Sequence, residues 1–462
     1  MESNLKRGLI LVFSANIVNL VFNLFTNFLM PKYLSVDSYA AIKTFQLYTT
    51  YIGIFGLGAA DGMYLRYGGK QLQKIDRCKL RTGLYSFRIL MLLESIILFP
   101  LSFLLKDKII IAFTLTIMST NITNYFKNLY QAVGEFKKYG KILNWTTIAT
   151  FAINMILLFI VDTDDYFLFL LGYVLVNAVI WIVLEYNIHN LFENDNVEKV
   201  LFSLRLLIND IKSGILLMIG NFSNILLSSM DRWFVKIMMD TVQFAYYSFA
   251  VSLEGFLNVA ITPITTTMYN YFCTHLKPND IIRVRRYVLL FGTIIIAAAY
   301  PAKFIIELFL KNYIGSVSVM FILFSTQVLY VMIKGVYINL YKAVKKQNTY
   351  FFRLMLILII GAALNYIFVR IYPYKEAFAV GTLVSAFIWL LLCIFDFKEY
   401  EFKIREWVYI IGEILVFIIS GVLLNSVIGF IVYVLFTLLM MRVFMHDEGK
   451  ELVRIVKNMI NR

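Results

Sequence analysis

Residues 166–187 read YFLFLLGYVLVNAVIWIVLEYN, a run of 22 residues with one charge, Glu185. At about 1.5 Å per residue the run makes a helix roughly 33 Å long, enough to cross a hydrocarbon layer about 30 Å thick. Working outward from it, comparable apolar blocks fall at about 8–30, 40–64, 83–105, 108–130 and 142–162 on one side, and at 212–236, 243–268, 287–310, 316–340, 351–371, 376–396, 407–426 and 427–445 on the other. These 14 blocks predict an all-α polytopic membrane protein. The blocks after Lys106, Asp165 and Ser426 start almost where their predecessors end, so the turns there are tight and one merged pair would make the count odd. With 60% hydrophobic and 16% charged residues, against about 45–50% and about 25% in soluble domains, a soluble globule is excluded.

The net charge of +14 does not point to nucleic acid, because the Lys and Arg residues are spread over short loops instead of forming one basic face. They follow the positive-inside bias. On one side lie Lys70, Lys74, Arg77, Lys79 and Arg81, then Lys137, Lys138 and Lys141, and further groups around Lys199, Arg285, Lys345 and Lys403 and in the tail at Lys450, Arg454, Lys457 and Arg462. The other side has little beyond Lys32, Lys106, Lys108, Lys311, Arg370 and Lys375, and its turn at 161–165 is acidic. Both termini are expected in the cytoplasm. Lys6 and Arg7 before the first block resemble the start of a signal peptide, but the block runs to about Met30 without a small-residue cleavage site, so it reads as a retained first helix.

Cys78, Cys273 and Cys393 form no paired motif, and His189, His275 and His446 lack metal-ligand spacing, so neither a disulfide framework nor a metal site is indicated. The longest hydrophilic stretch, about Asn187 to Asp210, is too short for a catalytic domain, which argues against an enzyme. It falls midway through the first twelve blocks and reads as a linker between duplicated halves. The expected organisation is a six-helix bundle at 1–187, a cytoplasmic linker at 188–210, a second, pseudo-symmetric six-helix bundle at 211–396, and two further helices with a basic tail at 397–462.

The first and seventh blocks support the duplication. Asn16, Asn19, Asn23 and Asn27 are matched by Asn221, Asn224, Ser228 and Arg232 at a nearly constant offset. At about 100° per residue, each set forms one polar stripe. Amides also join helices in lipid, but two matched stripes favour a shared polar cavity.

An ionisable side chain at membrane depth costs about 2.5–3.5 kcal/mol or more unless it meets water or a partner. The second block places Lys43, Gln46, Thr50 and Asp61 on one face, with Gly53, Gly56 and Gly58 where the helix could bend and Arg66 at its end. The fourth carries Thr120, Asn124, Lys127 and Gln131, the eighth Tyr247, Glu254, Asn258 and Thr262, and the tenth Gln327, Tyr330, Lys334 and Tyr337. Lys127, Arg66 and Lys236 lie near block ends, where snorkelling to headgroups competes with a cavity role. Lys303 and Glu307, four apart, suit a local ion pair, and Arg88 and Glu94 call for partners on other helices. Asp231 and Arg232 are adjacent charges inside an apolar helix. Pro100, Pro263 and Pro301 fall within blocks, and Pro263 offers a bend.

Several stretches now align with one family. They are KRG at 6–8, LGAADGMYLRY ending at Tyr67, QAVGEFKKYG at 131–140, MDR at 230–232 followed by AYYSFA at 245–250, and ALNYIFV at 363–369 before EAFAVGTLVS at 376–385. In order and spacing the chain resembles the multidrug/oligosaccharidyl-lipid/polysaccharide (MOP) exporter superfamily, within it the polysaccharide-transporter branch of Wzx-type O-antigen and capsule flippases. EAFAVG departs from the glycine and alanine more usual there. The resemblance implies two six-helix bundles about a central cavity, and a cargo of undecaprenyl-pyrophosphate-linked oligosaccharide turned across the bacterial cytoplasmic (inner) membrane by alternating access. It matches Asp231 and Arg232 to the family's D-R, and Asp61 and Arg66 to its D-G and R-Y positions.

The expected cavity residues are therefore Asn16, Asn19, Asn23, Lys43, Arg66, Asn221, Asn224, Arg232 and Lys334, with Lys43, Arg66, Arg232 and Lys334 favouring an anionic headgroup. Asp61, Asp231 and Glu254 are candidates for proton or sodium coupling or for counter-ions, with no other cofactor and no metal. The expected partners are the lipid-linked oligosaccharide, the bilayer and a polysaccharide polymerase. A drug/cation antiporter of the same superfamily would call for an acidic, aromatic cavity, and a membrane polymerase or glycosyltransferase for a large outer loop, which is lacking.

Overall fold

The computed structural model describes residues 2–192, 202–274, 277–446 and 448. The centre of the predicted linker with Lys199, His275, and the basic tail with Lys450, Arg454, Lys457 and Arg462 lie outside the described residues, as do the side chains of Lys6, Arg7 and His189. Every regular element among the described residues is helical, as the composition required. The chain divides into two compact units, Met1–Ser229 and Met230–Arg462.

The first unit holds α1 (Glu2–Tyr33), α2 (Val36–Thr49), α3 (Ala59–Tyr67), α4 (Arg77–Leu104), α5 (Lys108–Ala132), α6 (Phe136–Phe159), α7 (Tyr166–Phe192) and most of α8 (Leu204–Met238). The second predicted block is a broken span. After α2 the chain forms a 3₁₀ turn at Ile52–Gly56 and passes through left-handed Leu57 (φ 49°) and Gly58 (φ 82°). Glycine serves the second of these conformations without a Cβ penalty, so the run of glycines read as a bend is a break. The α5 helix packs on α2, α3, α4, α6 and α7 and forms the centre of the unit.

The unit boundary falls inside α8, after Ser229, and not in the predicted linker. The reason lies in three glycines. A Cβ on Gly62 would sit 1.9 Å from the Asp210 carbonyl oxygen, and one on Gly214 would sit 2.1 Å from that of Gly58. The start of α8 thus lies backbone to backbone against α3, a contact that only small residues permit.

The second unit holds α9 (Thr241–Glu254), α10 (Leu257–Thr274), α11 (Pro278–Ile296), α12 (Ala299–Phe309), α13 (Val317–Met332), α14 (Ile338–Ala343), α15 (Gln347–Ile371), α16 (Lys375–Asp396), α17 (Ile404–Leu423) and α18 (Ser426–Phe444). Its second span is broken too: α9 and α10 bend by 45° across Gly255 and Phe256. Pro263 remains inside α10, so the expected bend lies earlier, at the glycine. Pro301 occupies the first turn of α12 after a break at Ala297–Ala298, a position where its missing N–H costs little. A π turn at Ile333–Tyr337 joins α13 to α14. The α13 helix contacts α9, α11, α16 and α17, the role that α5 plays in the first unit. Correspondingly, 89% of the apolar window containing α13 and 61% of that in α5 is buried, against 17% for α4 and α6.

The last two helices are built into the second unit. Arg285, 1% exposed, places a guanidinium nitrogen 2.8 and 2.7 Å from the two Glu406 oxygens and lies 3.9 Å from the Phe402 ring centre. The Tyr433 hydroxyl donates to the Thr293 carbonyl at 2.8 Å, and Tyr300 and Ser420 share a hydrogen bond of 2.6 Å. The predicted Lys303–Glu307 pair forms at 3.5 Å, while Lys303 also donates to the Gly421 carbonyl at 2.8 Å and Glu307 accepts from Ser426 at 2.6 Å.

Among the described residues, 11 helices are long and apolar enough to cross a membrane, or 12 with the bent pair. All fourteen predicted blocks are helical, and the tight turns keep their neighbours separate. The first two fall outside the membrane-crossing set: α1 carries the asparagine stripe, and the second block is divided into α2 and α3.

Candidate functional site

Each unit contains a polar site next to its broken span. In the first, a cavity of about 200 Å³ lies between the α2–α3 break, α5 and α8. Thr50, Tyr51, Asp61, Asn121, Asn124, Asn128 and Asn221 supply its polar wall. Asn121 donates at 3.0 Å to the carbonyls of Ile52 and Ile117, which ties the 3₁₀ turn to α5. The Asn221 amide lies 3.5 Å from an Asp61 oxygen, so two expected residues from distant segments meet here.

The expected cations of this unit do not line that cavity. Lys43 is buried and donates to Asn27 Oδ1 at 2.9 Å and Gln46 Oε1 at 3.1 Å, with its ammonium 5.2 Å from the Tyr39 ring centre. Arg66 forms a salt bridge with Asp210 and lies over the Tyr67 ring. Such partners stabilise desolvated charges: Lys43 is held by neutral amides, and Arg66 is paired with Asp210 through one nitrogen while its Nε and Nη1 are buried without a protein partner. Asn16 and Asn23 are exposed on α1, Asn19 is half-buried, and Asn224 is exposed and donates at 2.9 Å to the Gly220 carbonyl of its own helix.

The second unit gathers the charges that the sequence placed on three separate segments. Asp231, near the end of α8, accepts from the Tyr247 hydroxyl of α9 at 2.6 Å and from the Arg232 backbone N–H at 2.7 Å. Glu254, the last residue of α9, accepts from the Gln327 amide of α13. Asp231, Lys334 and Arg232 are the charges acting on it. Lys334 lies in the π turn, its ammonium 5.0 Å from the Tyr330 ring centre. A π turn shifts the helical register by one residue, a distortion common at functional sites. Two cations and two carboxylates thus occupy one largely buried cluster. It is not fully satisfied: Arg232 Nε and Gln327 Oε1 are buried and meet no protein partner. Such orphaned groups in a packed interior ask for a ligand or water.

Lys127 lies 3.5 Å from the Asn124 amide oxygen, and Arg88 pairs with Glu185, which also accepts from Trp181 at 3.0 Å. Asp210, Asn121 and Asn128 were not singled out from the sequence. Asn121, Asn124 and Asn128 recur at a helical spacing that would have revealed their stripe. Nothing local announces Asp210 as the partner of Arg66. No group of three or more metal-ligating side chains occurs among the described residues.

No protein-family model matches the sequence, and no curated protein is similar to it in sequence. Solved structures are similar in fold. The lipid II flippase MurJ, in an inward closed conformation, aligns with a TM-score of 0.62 and 15% identity over 96% of this chain and 100% of its own. The chain has the fold of the MOP-superfamily transporters. Two multidrug-type members agree with the MOP fold over a smaller share. VcmN, a MATE transporter of Vibrio cholerae, aligns with a TM-score of 0.54 and 12% identity over 86% of this chain and 96% of its own. The eukaryotic MATE transporter AtDTX14 aligns with a TM-score of 0.51 and 14% identity over 86% and 94%.

Proposed function

We propose that this protein is a membrane flippase that moves an undecaprenyl-pyrophosphate-linked oligosaccharide repeat unit across the bacterial cytoplasmic membrane by alternating access. It serves capsule or O-antigen synthesis, keeps both termini in the cytoplasm, and hands its cargo to a polysaccharide polymerase. The observation that carries the reading is the cluster around Arg232 and Lys334, where a buried guanidinium nitrogen lacks a protein acceptor. A pyrophosphate supplies charge-assisted acceptors for such donors, and their attraction is strengthened where water is scarce. Asp231 and Glu254 then serve as counter-ions while the site is empty, or as proton or sodium sites for coupling. The exposed amides of Asn16, Asn23, Asn221 and Asn224 offer the donors and acceptors a glycan needs. Agreement in fold with a lipid II flippase over 96% of this chain and the whole of that protein supports a lipid-linked cargo.

A drug/cation antiporter is the second reading. It is favoured by the first unit's cavity, where Asp61 stands with Tyr51 and Phe222, whose rings are 5.9 Å apart. Proteoliposomes separate the two. With a fluorescent lipid-linked oligosaccharide in the bilayer, the flippase makes the inner-leaflet pool accessible to a membrane-impermeant quencher, and Arg232→Ala slows this at least tenfold. Proton-driven uptake of a cationic dye without lipid translocation would instead support the antiporter.

A further inference from the structure

A second cavity lies in the first unit, with a lining separate from that of the unit's polar cavity. It is an apolar groove of about 680 Å³ between α6 and α7. Its shape follows from how these helices cross. A Cβ on Gly172 would lie 2.5 Å from Ile153 Cγ2, so the two helices touch there. From that point the cavity lining runs toward the start of α6 and the end of α7, with Ala149 and Ala152 on one side and Val179 and Val183 on the other. The small alanines leave the space that larger residues would fill.

The groove is apolar along its length and basic at its mouth. Lys138 and Lys141 line the open end. Lys138 is held with its ammonium 5.4 Å from the Tyr130 ring centre, and neither lysine pairs with a carboxylate among the described residues. Trp145, 67% exposed, stands on the lip just beyond them. Both lysines belong to the side richer in Lys and Arg, which the positive-inside bias assigns to the cytoplasm. From Lys138 to Ile153 the α6 backbone advances about 22 Å, roughly one leaflet with its headgroup layer in a bilayer about 40–45 Å across.

We propose that this groove binds one acyl chain of an anionic phospholipid of the inner leaflet, whose phosphate is held by Lys138 and Lys141. The chain lies against Ala149, Ala152, Val179 and Val183 and ends where Ile153 meets Gly172. A basic pocket between membrane helices on the cytoplasmic side is suited to an anionic headgroup. The length selects a phospholipid over a polyprenyl carrier, whose far longer tail the Ile153–Gly172 contact would obstruct. The lipid fills the cavity between α6 and α7, and so it steadies the first unit.

The test is native mass spectrometry of the full-length protein in detergent, titrated separately with phosphatidylglycerol, phosphatidylcholine and undecaprenyl phosphate, with thermal unfolding measured in parallel. The wild type retains phosphatidylglycerol at least fivefold more than the other two lipids and unfolds at a higher temperature with it. K138Q/K141Q loses both effects, whereas Lys137→Gln, beside the groove's lysines but outside its lining, keeps both. Ala149→Trp fills the groove, lowers retention at least fivefold and keeps the melting temperature of the lipid-free protein. Equal retention by wild type and K138Q/K141Q, or no preference for phosphatidylglycerol over phosphatidylcholine, overturns the site. Preferential retention of undecaprenyl phosphate overturns the occupant.

Discussion

The Tyr247 hydroxyl donates to the Asp231 carboxylate at 2.6 Å, joining α9 to the end of α8 beside Arg232. Both side chains are buried, so neither can exchange this bond for water. Tyr247→Phe keeps the ring and removes the donor. An unsatisfied buried group costs about 1–3 kcal/mol, and the variant should unfold at a lower temperature in detergent than the wild type. Translocation should fall as well, because Asp231 fixes the backbone that carries Arg232. An unchanged melting temperature would mean that the hydroxyl contributes nothing to the cluster.

The Arg66–Asp210 bridge ties the end of α3 to the start of α8. Removing one partner of a largely buried pair leaves the other charge uncompensated and costs about 3–5 kcal/mol. Arg66→Met and Asp210→Leu should each destabilise the protein strongly, and R66M/D210L should recover most of the loss. Chemical unfolding of the four proteins supplies the double-mutant cycle. Additive losses would contradict the internal pairing and return Arg66 to the set of free cations.

Gly214 is tested by a single methyl group. Its added Cβ would meet the Gly58 oxygen at 2.1 Å and the Gly62 nitrogen at 2.2 Å, whereas a Cβ on Gly220 meets nothing within 4 Å. Gly214→Ala should cost about 1–3 kcal/mol or more, as overpacking does. Gly220→Ala should be neutral or slightly stabilising, since alanine favours the helix. Melting temperatures of the two variants make the comparison.

Asp240 caps α9. It accepts from the Gln243 backbone N–H at 2.8 Å and from the Gln243 amide at 2.9 Å, and these bonds hold its carboxyl below the usual carboxylate range. A folded-state pKa below the unfolded value of about 3.9 gives stability that is present above that value. It is lost as pH falls through the folded value. Asp240→Ala should therefore lower the melting temperature at pH 7, with a cost near the low end of about 0.5–2 kcal/mol for such caps. The gap to the wild type should narrow as pH falls below about 4, which a series of melts at stepped pH resolves.

What the sequence could disclose follows from the range of the interactions involved. Span positions depend on local apolarity, and the glycines at 53, 56 and 58 announced the broken second span because backbone freedom is also local. The bend at Gly255 lacked such a cluster, and Pro263 drew attention away from it. Within the sites, Asp231 and Arg232 stood out as charges in an apolar helix, and Glu254, Gln327, Tyr330 and Lys334 as polar faces. That these four converge on Asp231 and Arg232 depends on packing between α8, α9 and α13, which no spacing encodes. Lys43 and Arg66 looked like free cations because Asn27 and Asp210, 16 and 144 residues away, could not be assigned to them in advance.

The proposed mechanism requires lipid-linked cargo to reach Arg232 and Lys334, and the most direct measurement follows that cargo in cells. In a strain deleted for this protein, lipid-linked repeat units should accumulate on the inner leaflet and surface polymer should disappear. Wild-type protein should restore the polymer, while Arg232→Ala or Lys334→Ala, expressed at equal levels, should restore a tenth or less. Normal surface polymer in the deletion strain, with no second flippase present, or full rescue by both alanine variants would contradict it.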